Sequence, residues 1–248
     1  MIEHEYDIVI IGSGAGGGTV AHALSDLVRD GVRILVLEQG AALADDEFTG
    51  RELDMSSSLY EDGGGFLTAD GTMTLAFGRI LGGSTVVYTG TSLIAPERVI
   101  RGWNVPELAH DDIERRSRRY MAQNNVHLLD ESELNDNNTL FVRGCERAGY
   151  RAEQFPLNVK GCLGSSLCNL GCPNAAKQGT NRVQLPAAVR NGVEIVTRAE
   201  ALRVEERAVI VRVHAKPDRN STPREELVSP SSSRRQQCPS SPQSRTSR

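Results

Sequence analysis

The residues of this chain that could do chemistry fall in three short stretches. The first is Gly12-Ser13-Gly14-Ala15-Gly16-Gly17, a G-x-G-x-x-G run, with Glu38 placed 21 residues after Gly17. In such a run the first glycine allows a tight turn, the second lets a pyrophosphate approach the backbone, and the third lets a helix pack closely on a sheet. Free N–H groups at the positive end of the following helix then hold the phosphates. An acid about 20 residues further on is placed to accept hydrogen bonds from ribose hydroxyls. The chemistry implied is dinucleotide binding. A flexible glycine-rich turn is the plain alternative, and the elements flanking the run disfavour it.

The second stretch is Gly78-Arg79-Ile80-Leu81-Gly82-Gly83-Ser84-Thr85. Two glycines followed by two hydroxyl residues offer backbone N–H groups and side-chain donors, which suit phosphate or flavin ring oxygens. Read in isolation it could equally be a loop between strands. The third stretch carries Cys162, Cys168 and Cys172. Its spacing is not the usual C-x2-C-x2-C of cluster ligation, and three thiolates with no nearby histidine leave a zinc site short of a ligand. Packed thiols are the favoured reading, with an iron–sulfur cluster and zinc as the others, so no metal ligands are assigned. Among the five histidines, His4, His22, His110, His127 and His214, none is given a catalytic role.

These residues need elements to position them. Asp7-Ile8-Val9-Ile10-Ile11 is a β-branched apolar run too short for a lone helix, so it predicts a buried strand leading into Gly12. Val20, Leu24, Leu27 and Val28 then recur on one helical face. Asp30-Gly31 stops that helix, and residues 32–37 form a second strand ending at Glu38. The order strand, glycine turn, helix, strand and acid is a βαβ unit. Further on, residues 66–68 and 73–77 predict a hairpin. Residues 96–150 read as mostly helical, with a helix over 138–148 stopped by Gly149. Trp103, the single tryptophan, reads as a packing anchor rather than a substrate contact. Arg115, Arg116, Arg118 and Arg119 read as a solvated helix face rather than a nucleic-acid patch.

The chain resembles the glucose–methanol–choline (GMC) oxidoreductases, flavoenzymes that oxidise alcohols. The resemblance rests on Gly12–Gly17 with Glu38, on Arg79-Ile80-Leu81-Gly82-Gly83-Ser84-Thr85, and on the cysteine-rich loop, and it covers residues 6–214. It implies an α/β fold with a Rossmann-like FAD-binding βαβ domain and part of an α+β substrate domain. FAD is the implied cofactor, with Gly12, Ser13, Gly14, Ala15, Gly16 and Gly17 at the pyrophosphate and Glu38 at the ribose. Arg79, Gly82, Gly83, Ser84 and Thr85 run along the pyrophosphate and ring. Where the family often places an asparagine beside the flavin, this chain carries Tyr88. The cysteine loop resembles that of a bacterial subgroup, and residues 193–197 match the strand that approaches the adenine.

The resemblance implies residues 1–100 as the FAD-binding domain and 101–215 as a partial substrate-domain region that returns to it. Residues 216–248 read as a disordered tail. They hold nine serines, six arginines and five prolines, too little apolar area to offset ordering entropy. The family's catalytic base lies beyond this point, so the reading frame reads as truncated or shifted. The expected activity is FAD-dependent oxidation of an alcohol to a carbonyl, with oxygen, a quinone or a cytochrome as electron acceptor. A non-catalytic FAD-binding fragment and an NAD-dependent dehydrogenase are the alternatives.

Composition narrows the partners. A formal net charge of −4 over 248 residues argues against nucleic acid. No apolar run reaches the roughly 18 residues of a membrane span. The acidic start and the five cysteines without a secretory signal predict a reducing, cytoplasmic setting.

Overall fold

A computed structural model of the protein describes residues 2–214 and 224–229. In chain order come β1 (Ile2–Glu5), β2 (Ile8–Ile11), α1 (Ala15–Leu24) and β3 (Ile34–Glu38). Helix α2 (Glu52–Leu59) and the hairpin β4 (Phe66–Leu67) and β5 (Thr74–Leu75) follow. The middle of the chain is α3 (Glu97–Gly102), α4 (His110–Gln123), β6 (Val126–His127), α5 (Asp136–Arg147) and β7 (Leu157–Asn158). It closes with α6 (Gln184–Arg190), β8 (Glu194–Thr197), β9 (Ala199–Glu205), β10 (Ala208–Val213) and β11 (Arg224–Ser229).

Strands β2, β3 and β8 form a parallel sheet in the order β2-β3-β8, with Ile8 opposite Ile34 and Val36 opposite Ile195. A second sheet has the order β1-β11-β10-β9. Strand β3 lies at the centre of the packing, and every one of its residues is buried. Ile34 and Val36 face Ala21 of α1 and Leu185 and Ala188 of α6. Leu35 and Leu37 face the other way, onto Tyr6, Ala199, Val209, Val211 and Val228. Side chains alternate along a strand, so β3 glues a helical layer to a second sheet. Each of those four side chains contributes about 1.5–3 kcal/mol by burial.

The βαβ unit, the hairpin and the helical middle follow the sequence, but three details differ. On α1 the buried residues are Gly18 and Ala21, while Val20 is 45 % exposed and Leu27 is 38 % exposed. The helix changes to 3-10 winding at Ser25, which rotates Leu27 out of the predicted stripe. Small residues also fill the face where α1 meets α6, because they allow close approach. Trp103 is 52 % exposed and does not anchor packing; it sits just past the end of the six-residue helix α3. The basic run on α4 is a solvated face, as read: Arg116 and Arg118 pair with Asp112 and Glu114 at 2.6 Å, and Arg115 also reaches Asp112.

The third difference lies in residues 216–248. Within that stretch Arg224–Ser229 is a strand, antiparallel to β10 and parallel to β1. Val228 is buried against Val209 and Val211. Composition averaged over the whole stretch hides a six-residue strand whose backbone bonds and one buried side chain suffice to dock it. The rest of that expectation lies outside the described residues.

Candidate functional site

Strand β2 runs into Gly12, whose φ of +89° is natural only for glycine, and the Gly12 N–H donates to the Leu37 carbonyl at 2.8 Å. The chain then turns into α1 with Gly14 as its N-cap. A Cβ on Gly17 would lie 1.9 Å from the Gly12 carbonyl oxygen, so helix and turn touch as the third glycine of the motif requires. Around the mouth the situation is reversed. A Cβ on Gly12 or Gly16 would meet nothing within 4 Å, and one on Gly14 only the Gly83 Cα at 3.9 Å. No side chain caps the helix. The first N–H groups of α1 therefore face open space.

Ser13 is the hub behind this mouth. Its hydroxyl donates to Glu38 Oε2 at 2.5 Å and its N–H donates to the same oxygen at 3.0 Å. The other carboxylate oxygen of Glu38 accepts the Gly40 N–H at 2.8 Å. Glu38 is 5 % exposed, so its carboxylate is held by three protein donors. The sequence reading gave it the ribose; the structure adds an anchoring role that the sequence did not show.

The second glycine segment docks on the same hub. The Gly82 N–H donates to the Ser13 hydroxyl at 2.9 Å. Gly82 and Gly83 have φ of +99° and +52°, and a Cβ on Gly83 would lie 2.9 Å from the Gly14 Cα. The two segments touch backbone to backbone, which only glycines permit. Ser84 accepts the Gly78 N–H at 3.0 Å, leaving its own proton to donate. Thr85 is different: its hydroxyl donates to the Gly82 carbonyl at 2.6 Å and accepts the Thr180 N–H at 3.0 Å. It closes the loop instead of presenting a donor outward. Arg79 also stands apart from the mouth, with Nε 3.6 Å from Glu61.

Two residues of this neighbourhood were missed by sequence reasoning. Thr180 is buried and donates its hydroxyl to the Ser13 carbonyl at 3.0 Å. Lys177 is 4 % exposed. Its ammonium donates to the carbonyls of Cys168 at 2.5 Å, Val86 at 3.2 Å and Tyr88. Burial pulls its pKa below the ordinary lysine value, with Cys168 and Cys172 acting in the opposite sense. Lys177 thus ties the cysteine loop to the segment following Thr85, and it lies 5.4 Å from the Tyr88 ring. Burial raises the Tyr88 phenol pKa. The signal in sequence is slight: a lysine between Ala175-Ala176 and Gly179-Thr180.

Cys145, Cys162, Cys168 and Cys172 are free and half-buried. Among the described residues no three cysteine, histidine or acidic side chains are grouped to hold a metal ion. Beyond Glu38 a cavity of about 460 Å³ opens, lined by Gln39, Gly40, Arg79, Arg198, Glu200 and His214, among others. It sits at the carboxyl ends of β3 and β8, where open α/β sheets bind ligands. The uncapped helix end, the Cβ-free mouth, the adjoining acid and this cavity together fit an extended dinucleotide.

Comparison with known proteins agrees with that reading. A family model described as GMC oxidoreductase matches residues 56–233. The chain is 32 % identical over 208 residues to the long-chain-alcohol oxidase FAO4B of Arabidopsis thaliana, covering 79 % of this chain and 26 % of that protein. It is 33 % identical over 218 residues to an uncharacterised GMC-type oxidoreductase of Mycobacterium tuberculosis, covering 82 % and 33 %. The chain therefore spans a third or less of these relatives. A pyridoxine 4-oxidase from Mesorbium loti superposes with a TM-score of 0.58 at 15 % identity, over 90 % of this chain and 48 % of that one. An Aspergillus oryzae formate oxidase superposes equally well at 14 % identity, over 92 % and 44 %.

Proposed function

This chain belongs to the GMC oxidoreductase family, the premise from which we propose that it is the FAD-binding part of an enzyme oxidising an alcohol to a carbonyl. The residues that would hold the pyrophosphate are Gly12, Ser13, Gly14, Ala15, Gly16 and Gly17, through the N–H groups at the start of α1. Glu38 fixes the turn beside the adenosine end. Gly82, Gly83 and Ser84 line the other side, with Arg79 further out along the cavity. Bound FAD supplies the hydride acceptor, while the protein supplies orientation and exclusion of water. The base that takes the alcohol proton is assigned to the portion of the relatives that this chain does not span. Alcohol as substrate rests on the long-chain-alcohol oxidases among the relatives. No helix among the described residues is long and apolar enough to cross a membrane.

The observation that carries this reading is the Ser13 hub, which joins both glycine segments and Glu38 behind an open, uncapped helix end. Gly14→Ala tests it. The added methyl meets no protein atom closer than 3.9 Å, so the thermal midpoint should stay within about 2 °C. FAD affinity, followed by quenching of flavin fluorescence, should fall at least about tenfold because the methyl occupies the pyrophosphate approach. Unchanged FAD affinity, or uptake of NAD in preference to FAD, refutes the proposal.

A further inference from the structure

None of the three cysteines between β7 and α6 takes part in the Ser13 hub, yet the loop that carries them is closely shaped. Leu167 packs on Gly50, where an added Cβ would lie 2.7 Å from the Leu167 Cδ1, and a Cβ on Gly171 would collide with the Phe48 ring. The Asn169 carbonyl accepts the Tyr60 hydroxyl at 2.6 Å. Ser166 and Ala175, on either side, have φ of +60° and +56°, a left-handed geometry that non-glycine residues disfavour. Strained backbone of this kind persists where its surroundings over-determine it, and it clusters at functional sites.

Two of the cysteines meet at one cation. The turn from Cys168 to Cys172 is five residues long. Its first residue gives its carbonyl to the buried Lys177 ammonium at 2.5 Å. Its last lines a small cavity together with Lys177, Thr85, Val86 and Asn181. Both thiols help Lys177 keep its proton against the pull of burial, so both ends of the turn lie within electrostatic reach of the ammonium. Each thiol is free and half-buried, open to a small oxidant and closed to a bulky one. A thiolate is the form that attacks an oxidant, and a neighbouring cation favours it. A sulfenic acid made on one sulfur condenses with a thiol beside it.

Lys177 also holds the carbonyls of Val86 and Tyr88, on the segment that continues from Gly82–Thr85. A change at the turn therefore reaches the edge of the glycine-lined mouth through a single side chain. We propose that Cys168 and Cys172 are a peroxide-sensitive dithiol, and that Lys177 transmits their oxidation to residues 86–88. One sulfur attacks hydrogen peroxide and breaks its O–O bond; sulfenic acid forms, and the departing hydroxide takes the thiol proton to leave as water. The second sulfur displaces the sulfenic hydroxyl, which leaves as a second water, and the S–S bond closes. Two thiols and one peroxide thus give one disulfide and two waters, the peroxide gaining the two electrons that the sulfurs lose.

The full 248-residue protein, reduced and then treated with one equivalent of hydrogen peroxide, tests this by counting free thiols in denaturant. Wild type and Cys162→Ser should each lose two thiols and regain them with dithiothreitol. Cys168→Ser and Cys172→Ser should form no pair, and at least one of them should stop at a sulfenic acid that dimedone traps. Transmission is read by amide hydrogen exchange over residues 86–90, which should quicken at least about fivefold on oxidation of wild type and not of Cys168→Ser. A pair that still forms in either serine variant overturns the dithiol, as does a wild type that keeps all its thiols or is oxidised without pairing. Exchange that stays the same once the disulfide has formed overturns the role given to Lys177.

Discussion

Replacing Lys177 with methionine removes the ammonium that holds three carbonyls, those of Val86, Tyr88 and Cys168. Methionine fills a similar volume, so the change is one of hydrogen bonding more than of packing. Each buried carbonyl left without a donor costs about 1–3 kcal/mol. Two effects act the other way: the variant no longer buries a charge, and water can enter to bridge the orphaned oxygens. The net expectation is a loss of about 2–4 kcal/mol, a large part of the roughly 5–15 kcal/mol that holds a domain folded. Urea denaturation at pH 7 measures it as a lower midpoint at unchanged slope. A second signature comes from pH. The unfolded chain holds the Lys177 proton up to its ordinary value of 10.5, whereas burial makes the folded chain release it earlier. In the window just below 10.5 the unfolded state therefore binds more protons, so this residue makes wild-type stability rise with pH there. The methionine variant lacks that contribution, and the gap between the two proteins should widen as pH climbs. A destabilisation below about 0.5 kcal/mol, or a gap constant across that window, would show that Lys177 is neither buried nor bonded as described.

Two other substitutions probe the frame of the site. Glu38→Gln leaves the shape intact but turns an amide N–H2 toward either the Ser13 or the Gly40 donors. It should cost about 2–3 kcal/mol in thermal unfolding and weaken FAD uptake, and equal stability would sink the Ser13 hub. Tyr6 donates to Glu194 at 2.7 Å, and its pKa is raised to about 12 by burial, then by Glu194, with Arg33 opposing. A phenol whose folded pKa exceeds its unfolded value of 10.0 adds stability below pH 10 that is lost as pH rises toward 12. Tyr6→Phe should flatten that alkaline limb in denaturation curves taken across the range, and an unchanged limb would refute the assignment.

What the sequence made legible was local. Strand β2, the turn at Gly12, α1, strand β3 and Glu38 follow one another within some thirty residues, and periodicity and glycine chemistry act at that range. The contacts that finish the site are not local. Ser13 meets Gly82, Thr180 meets Ser13, and Lys177 meets Val86; nothing in the spacing of these residues announces their meeting. The same limit explains the details that differed. Val20 and Leu27 read as core by hydrophobicity, yet the face of α1 that packs is chosen by small residues: Ala21 meets Leu185 and Ala188 of α6, and Gly18 leaves room for Thr180. Thr85 reads as a ligand donor by residue type, and only the fold reveals that its hydroxyl is turned back to Gly82. The strand at Arg224–Ser229 was hidden because docking partners, not composition, decide whether so short a segment orders.

The central place of β3 also sets a timetable. Its neighbour β2 precedes it closely, but its other neighbour, β8, is made only after more than 150 further residues. At translation rates of about 5–20 residues per second, that interval is on the order of ten to thirty seconds. Until β8 and α6 arrive, Val36 and Leu37 lack part of their cover and the Gly40 carbonyl lacks the Arg198 N–H, which reaches it at 2.9 Å. The proposed dinucleotide site is therefore completed only once β8 and α6 have been made. On the proposed reading FAD binds the finished arrangement and not its precursors, so the cofactor would act as a trap that draws late folding to completion, with a pull that grows with its concentration. Yield of folded protein should accordingly follow cellular flavin supply.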